Sequence, residues 1–84
     1  MASTMEGGML MPLSMVAPGQ EVQLVTVYGG WGIRQHLADM GLNPGVRMRV
    51  VQANFSGGPI IIAVRDFRLA LGRGMAHKIM VRAV

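Results

Sequence analysis

Alternation of apolar and polar residues is the main pattern in this chain, and it predicts strands. Val46, Met48 and Val50 alternate with Arg47 and Arg49, which is the period of a half-buried strand with a basic outer face. Similar short apolar segments recur along the chain, each bounded by glycine, proline or a charged pair. They predict five strands, at residues 21–28, 46–53, 59–64, 67–71 and 76–84.

The same alternation assigns an inward face to each of the last three strands. These faces comprise Ile60, Ile62 and Val64, then Phe67, Leu69 and Leu71, and finally Ile79, Val81 and Ala83. In the first strand the alternation breaks at Val25 and Val27. A β-bulge or a strand buried on both faces would explain that break.

A different period, between the first two strands, predicts one short helix at residues 31–40. Ile33, Leu37 and Met40 lie at i, i+4 and i+7 and so form one apolar stripe. No Ser, Thr, Asp or Asn precedes the stripe, so a glycine must cap the start of the helix.

The helix is followed by a corner with clear backbone requirements. Gly41 stands where a helix ends in a left-handed residue, a conformation that costs glycine little. Pro44 and Gly45 then suit the two central positions of a type II turn, with positive φ at Gly45. We therefore expect Gly41, Pro44 and Gly45 to be structural turn residues.

Taken together, these elements predict a mainly β fold: a small antiparallel barrel of about five strands, with one short helix between the first two long strands. A curved open sheet with the helix across one face is the alternative. Residues 1–9 lack periodicity and are expected to be a flexible tail, as is the glycine-rich hairpin tip at 54–58. Residues 10–84 then form a single domain.

Composition limits what such a domain does. Of the 84 residues, 51% are hydrophobic, which fills an aliphatic core and leaves some apolar surface for a partner. The absence of cysteine excludes disulfides and thiolate metal sites and is consistent with a reducing compartment. The longest apolar run is far below the ~20 residues of a membrane span, and no signal peptide is apparent. We expect a cytoplasmic protein, with a net charge of +4 that suits an anionic partner or the inner face of a membrane.

The residues of known catalytic constellations are missing. The acidic residues Glu6, Glu21, Asp39 and Asp66 include no pair spaced for two-carboxylate catalysis. No serine lies in a nucleophile elbow, and no phosphate-binding loop is present. The prediction is therefore a protein that is not an enzyme, with no catalytic residue and no cofactor.

Three residues raise the question of a metal site. His36 and Asp39 are three positions apart and so share a helical face, and His77 lies elsewhere. Two ligands make a weak site, so we predict no functional metal site. A metal carrier that uses these three residues remains a third hypothesis.

The basic strand faces leave a second function open. Arg47 and Arg49 share one face, and Lys78 and Arg82 share another. A solvated face is favoured over a patch for an acidic protein, a lipid headgroup or an RNA backbone. The few aromatic residues do not interleave with these charges as RNA binding normally requires. A small-barrel nucleic-acid or ribosome-associated module is therefore kept only as the alternative.

Residues of the helix and two methionines are the candidates for protein contact. Methionine suits adaptable binding surfaces, and Met75 at a bend and Met80 on an outward face are placed for this. With them we predict Trp31, Arg34 and Leu37 as partner-binding residues. Weak self-association is a further expectation.

Several of these positions resemble the FeoA family (ferrous iron transport protein A). They are Leu13, Pro18-Gly19, the segment Leu-x-Asp-Met-Gly-Leu-x-Pro-Gly at 37–45, Ile62, Val64, Leu69-Ala-Leu71, and Ala76, Ile79 and Val81. The resemblance implies an SH3-like barrel and a cytosolic accessory protein of bacterial ferrous iron uptake. It also implies a partner, the membrane GTP-binding permease FeoB. No nucleic-acid partner is expected, because the aromatic residues do not interleave with the basic ones. One departure is Arg65-Asp66, where many relatives have glycine, which leaves the turn type there open.

Overall fold

The computed structural model of the chain describes residues 9–53 and 56–84. The predicted tail at 1–9, except Met9, and residues 54 and 55 of the predicted hairpin tip lie outside the described residues. The described part contains six strands, two helices and one 3₁₀ turn. In chain order they are β1 (Met11–Pro12), the 3₁₀ turn (Leu13–Met15), β2 (Glu21–Val27), α1 (Trp31–Asp39), β3 (Arg47–Gln52), β4 (Ile60–Val64), β5 (Phe67–Leu71), α2 (Arg73–Ala76) and β6 (Ile79–Ala83).

All six strands belong to one antiparallel sheet with the order β1-β6-β2-β3-β4-β5. The sheet has one strand more than the five predicted. The additional strand is β1, where Met11 pairs with Val81 and Pro12 with Met80. A two-residue strand carries no periodicity, so alternation could not reveal it.

The core lies on the inward face that the alternation assigned. Among the described residues, sixteen hydrophobic ones are buried. They include Ile60, Ile62 and Val64 of β4, Ile79 and Val81 of β6, and Met48 and Val50 of β3. The outward residues Arg47 and Arg49 are exposed. Since every second residue of a strand faces the core, the basic outer face of β3 is confirmed.

Phe67 lies on the inward face, as predicted, because it is the cross-strand partner of the buried Val64, but the core does not enclose it. Its side chain is 39% exposed, while Leu71 at the other end of β5 is buried. The ring instead covers the end of α1, since a β-carbon on Gly41 would lie 3.7 Å from Phe67 Cζ. Because β5 is the last strand in the order, the start of this strand is not enclosed by a further one.

The irregularity in β2 is a bulge. Leu24 pairs with Val81, and Thr26 pairs with Met80. Val81 and Met80 are consecutive in β6, whereas Leu24 and Thr26 have one residue between them in β2. Val25 is the extra residue, as in a β-bulge. The bulge turns Val27 back towards the core, where it is buried.

Where a bend and the start of the last strand were predicted, the chain forms α2. The backbone N–H groups of Ala76 and His77 donate to the carbonyls of Gly72 and Arg73 at 3.0 Å each. This single turn buries Ala76 completely, and β6 starts only at Ile79. One helical turn is too short for the 3.6-residue period to be visible in the sequence.

Candidate protein-docking groove

The helix α1 is fixed to the sheet by its C-terminal end. Leu42 N–H donates to Leu37 O at 2.9 Å and Gly41 N–H to Ala38 O at 2.9 Å, with Gly41 at φ 88. This is the bonding pattern of a Schellman motif, which commonly carries a hydrophobic contact between the two residues of its longer bond. Leu37 and Leu42 are both buried, so the helix ends with its last turn packed into the core.

The turn that follows joins this helix end to β2. Val46 N–H donates to Asn43 O at 3.0 Å, and Gly45 has φ 96, as a type II turn with Pro44 and Gly45 at its centre requires. Gly45 N–H donates to Leu24 O at 2.7 Å. The predicted roles of Gly41, Pro44 and Gly45 therefore agree with the backbone.

The start of α1 is built differently. Gly30 caps the helix, and no side chain bonds the free N–H groups there, as expected from the lack of a capping side chain. Trp31 comes next and is 78% exposed. A large apolar side chain with that exposure gains little from the fold, which makes it a candidate for contact with another molecule.

Trp31 borders a groove between α1 and the turn, which we call the Trp31 groove. Its volume is about 310 Å³. Residues from β2, α1 and the turn line it: Thr26, Val27, Trp31, Arg34, Gln35, Ala38, Leu42, Asn43 and Pro44. The groove is therefore apolar along its floor, with an aromatic side chain and a cation among the residues that line it.

Arg34 is held at this groove by one hydrogen bond. Its Nε–H donates to the carbonyl oxygen of Val27 at 3.2 Å. Because a guanidinium has five N–H donors in a planar fork, this bond orients the group and leaves further donors for a carbonyl or carboxylate of a partner.

The structure brings together only part of the predicted contact set. Trp31 and Arg34 line the same groove. Met80 is half-buried and is the cross-strand neighbour of the groove residue Thr26, so it lies beside the groove. Met75 is half-buried on α2 and packs against the core.

Leu37 does not belong in that set. It has no exposed surface, because the apolar stripe of α1 faces the sheet. Its function is to hold the helix, and it is removed from the candidate contact residues. Its membership of the predicted stripe already indicated this position.

Sequence reasoning missed most of the groove lining. The bulge at Val25 shifts the alternation of β2, so that Thr26 faces the groove and Val27 faces the core. Pro44 lines the groove because the turn folds back towards α1. The break in alternation at Val25 is the sequence signal for the position of Thr26. The sequence predicts only a backbone role for Pro44 and gives no signal that it lines a groove.

A second concavity, which we call the arginine groove, lies on the outer face of β3. Its volume is about 550 Å³, and its lining comprises Glu21, Gly45, Val46, Arg47, Met48, Arg49, Ala63 and Arg65. Sequence reasoning placed Arg47 and Arg49 on one face but not Arg65, which arrives from the β4–β5 turn. Pro44 lines one groove and Gly45 the other, so the 43–46 turn lies between them.

The three residues considered for a metal site do not form a cluster. His36 is exposed, and Asp39 accepts a hydrogen bond from Gln35 Nε2 at 3.0 Å. His77 Nδ1 lies 3.3 Å from the Ser14 hydroxyl. Within residues 9–53 and 56–84, no group of three or more His, Asp or Glu side chains could hold a metal ion, so the geometry gives the metal-carrier hypothesis no support.

The sheet and the position of α1 define the class of this protein. It is a small SH3-like β-domain with a helix between its first two long strands. A crystal structure described as the iron uptake regulatory protein FeoA superimposes with a TM-score of 0.84 at 42% identity, covering 90% of this chain and 100% of that one. The solution structure of FeoA from Chlorobium tepidum gives a TM-score of 0.79 at 27% identity, covering 88% of this chain and 70% of that one.

The sequence comparisons identify the family. The model of the FeoA domain matches residues 11–83. A Methanocaldococcus jannaschii protein with the provisional name Fe(2+) transport protein A is 39% identical over 70 residues, which cover 83% of each chain. This chain belongs to the FeoA family, whose members are associated with iron transport, and the resemblance found in the sequence is confirmed.

The same fold occurs as one part of a longer protein. A manganese-dependent transcriptional repressor superimposes with a TM-score of 0.82 at 20% identity, covering 89% of this chain but 42% of that one. At this identity the likeness concerns the fold alone.

Proposed function

We propose that this protein is a non-enzymatic accessory of ferrous iron uptake that docks on the cytosolic side of a membrane permease of the FeoB type. Membership of the FeoA family supports the link to iron transport. The observation that carries the docking proposal is Trp31, 78% exposed at the Trp31 groove.

The groove has the make-up of a protein-binding site. Tryptophan and arginine are the residues most enriched among those that dominate binding energy at protein interfaces. Trp31 and Arg34 are adjacent on one helix and line one groove, and Arg34 is already oriented by its bond to Val27. Less conformational entropy is then lost on binding, because the groove is largely formed beforehand.

The place of action in this proposal is the cytoplasm, at the inner face of the cell membrane. In the part of the chain that the structure describes, no helix has the length and apolar character needed to cross a bilayer. The lack of cysteine is consistent with a reducing compartment. The protein reaches the membrane, in this proposal, through its partner.

The test is a binding measurement with the cytosolic GTP-binding domain of the permease, combined with iron uptake by cells that lack this protein. We expect Trp31→Ala to weaken binding by about 2 kcal/mol or more and to reduce uptake when it replaces the wild type. Stability should change little, since the side chain is mostly exposed.

Met15→Ala is the matched control. Met15 is 72% exposed and does not line the Trp31 groove, so its removal should leave binding unchanged. Equal binding by the wild type and the Trp31 variant would exclude this groove as the contact site. Normal ferrous iron uptake in cells without the protein would contradict the proposed function itself.

A further inference from the structure

The outer face of the sheet concentrates positive charge. Arg47 on β3 pairs across strands with Gln23 on β2, and Gln23 pairs on its other side with Arg82 on β6. Cross-strand partners in an antiparallel sheet share a face and lie side by side. All three side chains therefore lie on the face that carries the arginine groove.

A second row runs parallel to the first. Arg49 on β3 pairs with Ala63 on β4, and Ala63 pairs with Arg68 on β5. The small side chain of Ala63 leaves an open floor between the two arginines. Arg65 lines the groove two residues further along, so five of the seven arginines lie on this face or at its margin.

Hydrogen bonds link this face to the 43–46 turn. Arg82 Nη2 donates to Gln23 Oε1 at 3.3 Å, and Gln23 Nε2 donates to the carbonyl oxygen of Gly45 at 3.1 Å. These bonds direct Arg82 across β2 towards the groove. Glu21 on β2 is the cross-strand neighbour of Arg49 and offsets part of the positive charge on this face. Arg47, Arg49 and Arg65 still outnumber it in the groove lining, which leaves the groove with a net positive charge for an anionic ligand.

The backbone at Arg65 adds a second observation. Arg65 has φ 55 and is the only residue other than glycine with positive φ among those described. This conformation costs a side chain with a β-carbon roughly 1–2 kcal/mol. A local cost of this kind is often retained where the residue has a function, and here it places a cation at the groove.

We propose that the arginine groove binds the phosphate groups of anionic phospholipids and thereby holds the protein against an anionic membrane surface. Guanidinium forks match phosphate oxygens, and clusters of four to eight basic residues are typical of binding to anionic lipid. No aromatic side chain lines the groove in the described residues, which disfavours single-stranded nucleic acid, whose bases stack on such side chains. This attachment does not require the permease.

The experiment is co-sedimentation of the whole protein with vesicles of phosphatidylglycerol and phosphatidylcholine, and with vesicles of phosphatidylcholine alone. We expect binding to the anionic vesicles only, and its loss at high salt, because exposed charges are screened. Each arginine near an anionic surface contributes a factor of about five in affinity. Arg47→Gln and Arg49→Gln should each cost about fivefold, and the double variant more.

Glu21→Gln gives the sharper result, since a gain of binding does not follow from damage to the fold. Glu21 is the one acidic residue in the groove lining, so its neutralisation should tighten vesicle binding several-fold.

Lys78→Gln is the control for net charge. Lys78 lies in the turn before β6, four residues before Arg82 and so roughly 13 Å from it in extended chain. This is beyond the screening length of about 10 Å at moderate salt, and its loss should have a smaller effect.

Four outcomes would overturn the proposal. Equal binding to neutral vesicles would exclude charge recognition, and an equal loss in Lys78→Gln would assign binding to net charge rather than to the groove. Full competition by inorganic phosphate at matched ionic strength would indicate a site for free phosphate. Tighter binding to single-stranded RNA or DNA than to vesicles, lost in Arg47→Gln, would identify a nucleic-acid surface instead.

Discussion

Two turns flank the strand pair β3–β4, and each contains one residue with positive φ. In one turn this residue is a glycine, and in the other it is an arginine. In the 43–46 turn the residue with positive φ is Gly45, for which the conformation costs little. In the β4–β5 turn it is Arg65, for which the same sign of φ is unfavourable. Both residues line the arginine groove, so their position relative to this groove does not explain why one is glycine and the other arginine.

The difference indicates two roles for turns in this protein: one stabilises the fold, and the other places a charged side chain. The 43–46 turn and the helix end before it obey the local rules for glycine and proline, and they are tied to the core by Leu37 and Leu42. The β4–β5 turn departs from those rules and presents a cation instead. We therefore expect substitutions in the first turn region to cost stability and a glycine in the second to add it.

The largest effect is expected from Leu37→Ala. Leu37 is fully buried at the end of α1, and truncation of a buried leucine costs about 2–5 kcal/mol. Leu69→Ala on the half-buried part of β5 is the control and should cost clearly less. Urea denaturation measures both, and equal losses would show that the helix end is no better anchored than the end of the sheet.

A smaller loss is expected from Gly45→Ala. A β-carbon there meets no atom within 4 Å, so the cost is conformational and amounts to about 1–2 kcal/mol. Gly45→Val should cost more, since β-branched residues are least compatible with positive φ. Gly72→Ala, at φ −60, is the control, with a change of a few tenths of a kcal/mol. Unchanged stability in Gly45→Val would mean that the type II turn is assigned wrongly.

The smallest effect, and the only gain, is expected from Arg65→Gly. Relief of the unfavourable φ outweighs the greater freedom of glycine in the unfolded chain by about 0.5–1 kcal/mol. Thermal unfolding measures the gain, and the same variant should bind anionic vesicles more weakly. A loss of stability would remove the contrast between the two turns.

What the sequence predicted well is local. Helix α1, its glycine cap, the left-handed Gly41 and the turn at Pro44 and Gly45 all depend on neighbouring residues, and the structure has each of them. Strand alternation is local too, and it gave most of the core. The bulge at Val25 was visible as a break in that alternation.

The features that the sequence did not predict either depend on contacts between residues far apart in the sequence or are very short elements. β1 and α2 are too short to show a period. Phe67 follows the alternation of β5, yet it lies at the open end of the sheet, where the inward side is not enclosed. The Trp31 groove needs Thr26 and Pro44 side by side, and 18 positions separate them in the sequence.

The strand order has a consequence for how the protein is made. β6 is the last strand in the sequence, but it lies between β1 and β2 and buries Ile79 and Val81 in the core. During synthesis, β1 and β2 emerge while the strand that pairs with both of them is still missing. The core can close only after β6 has left the ribosome, so until then the nascent chain exposes apolar strand edges, a state prone to aggregation.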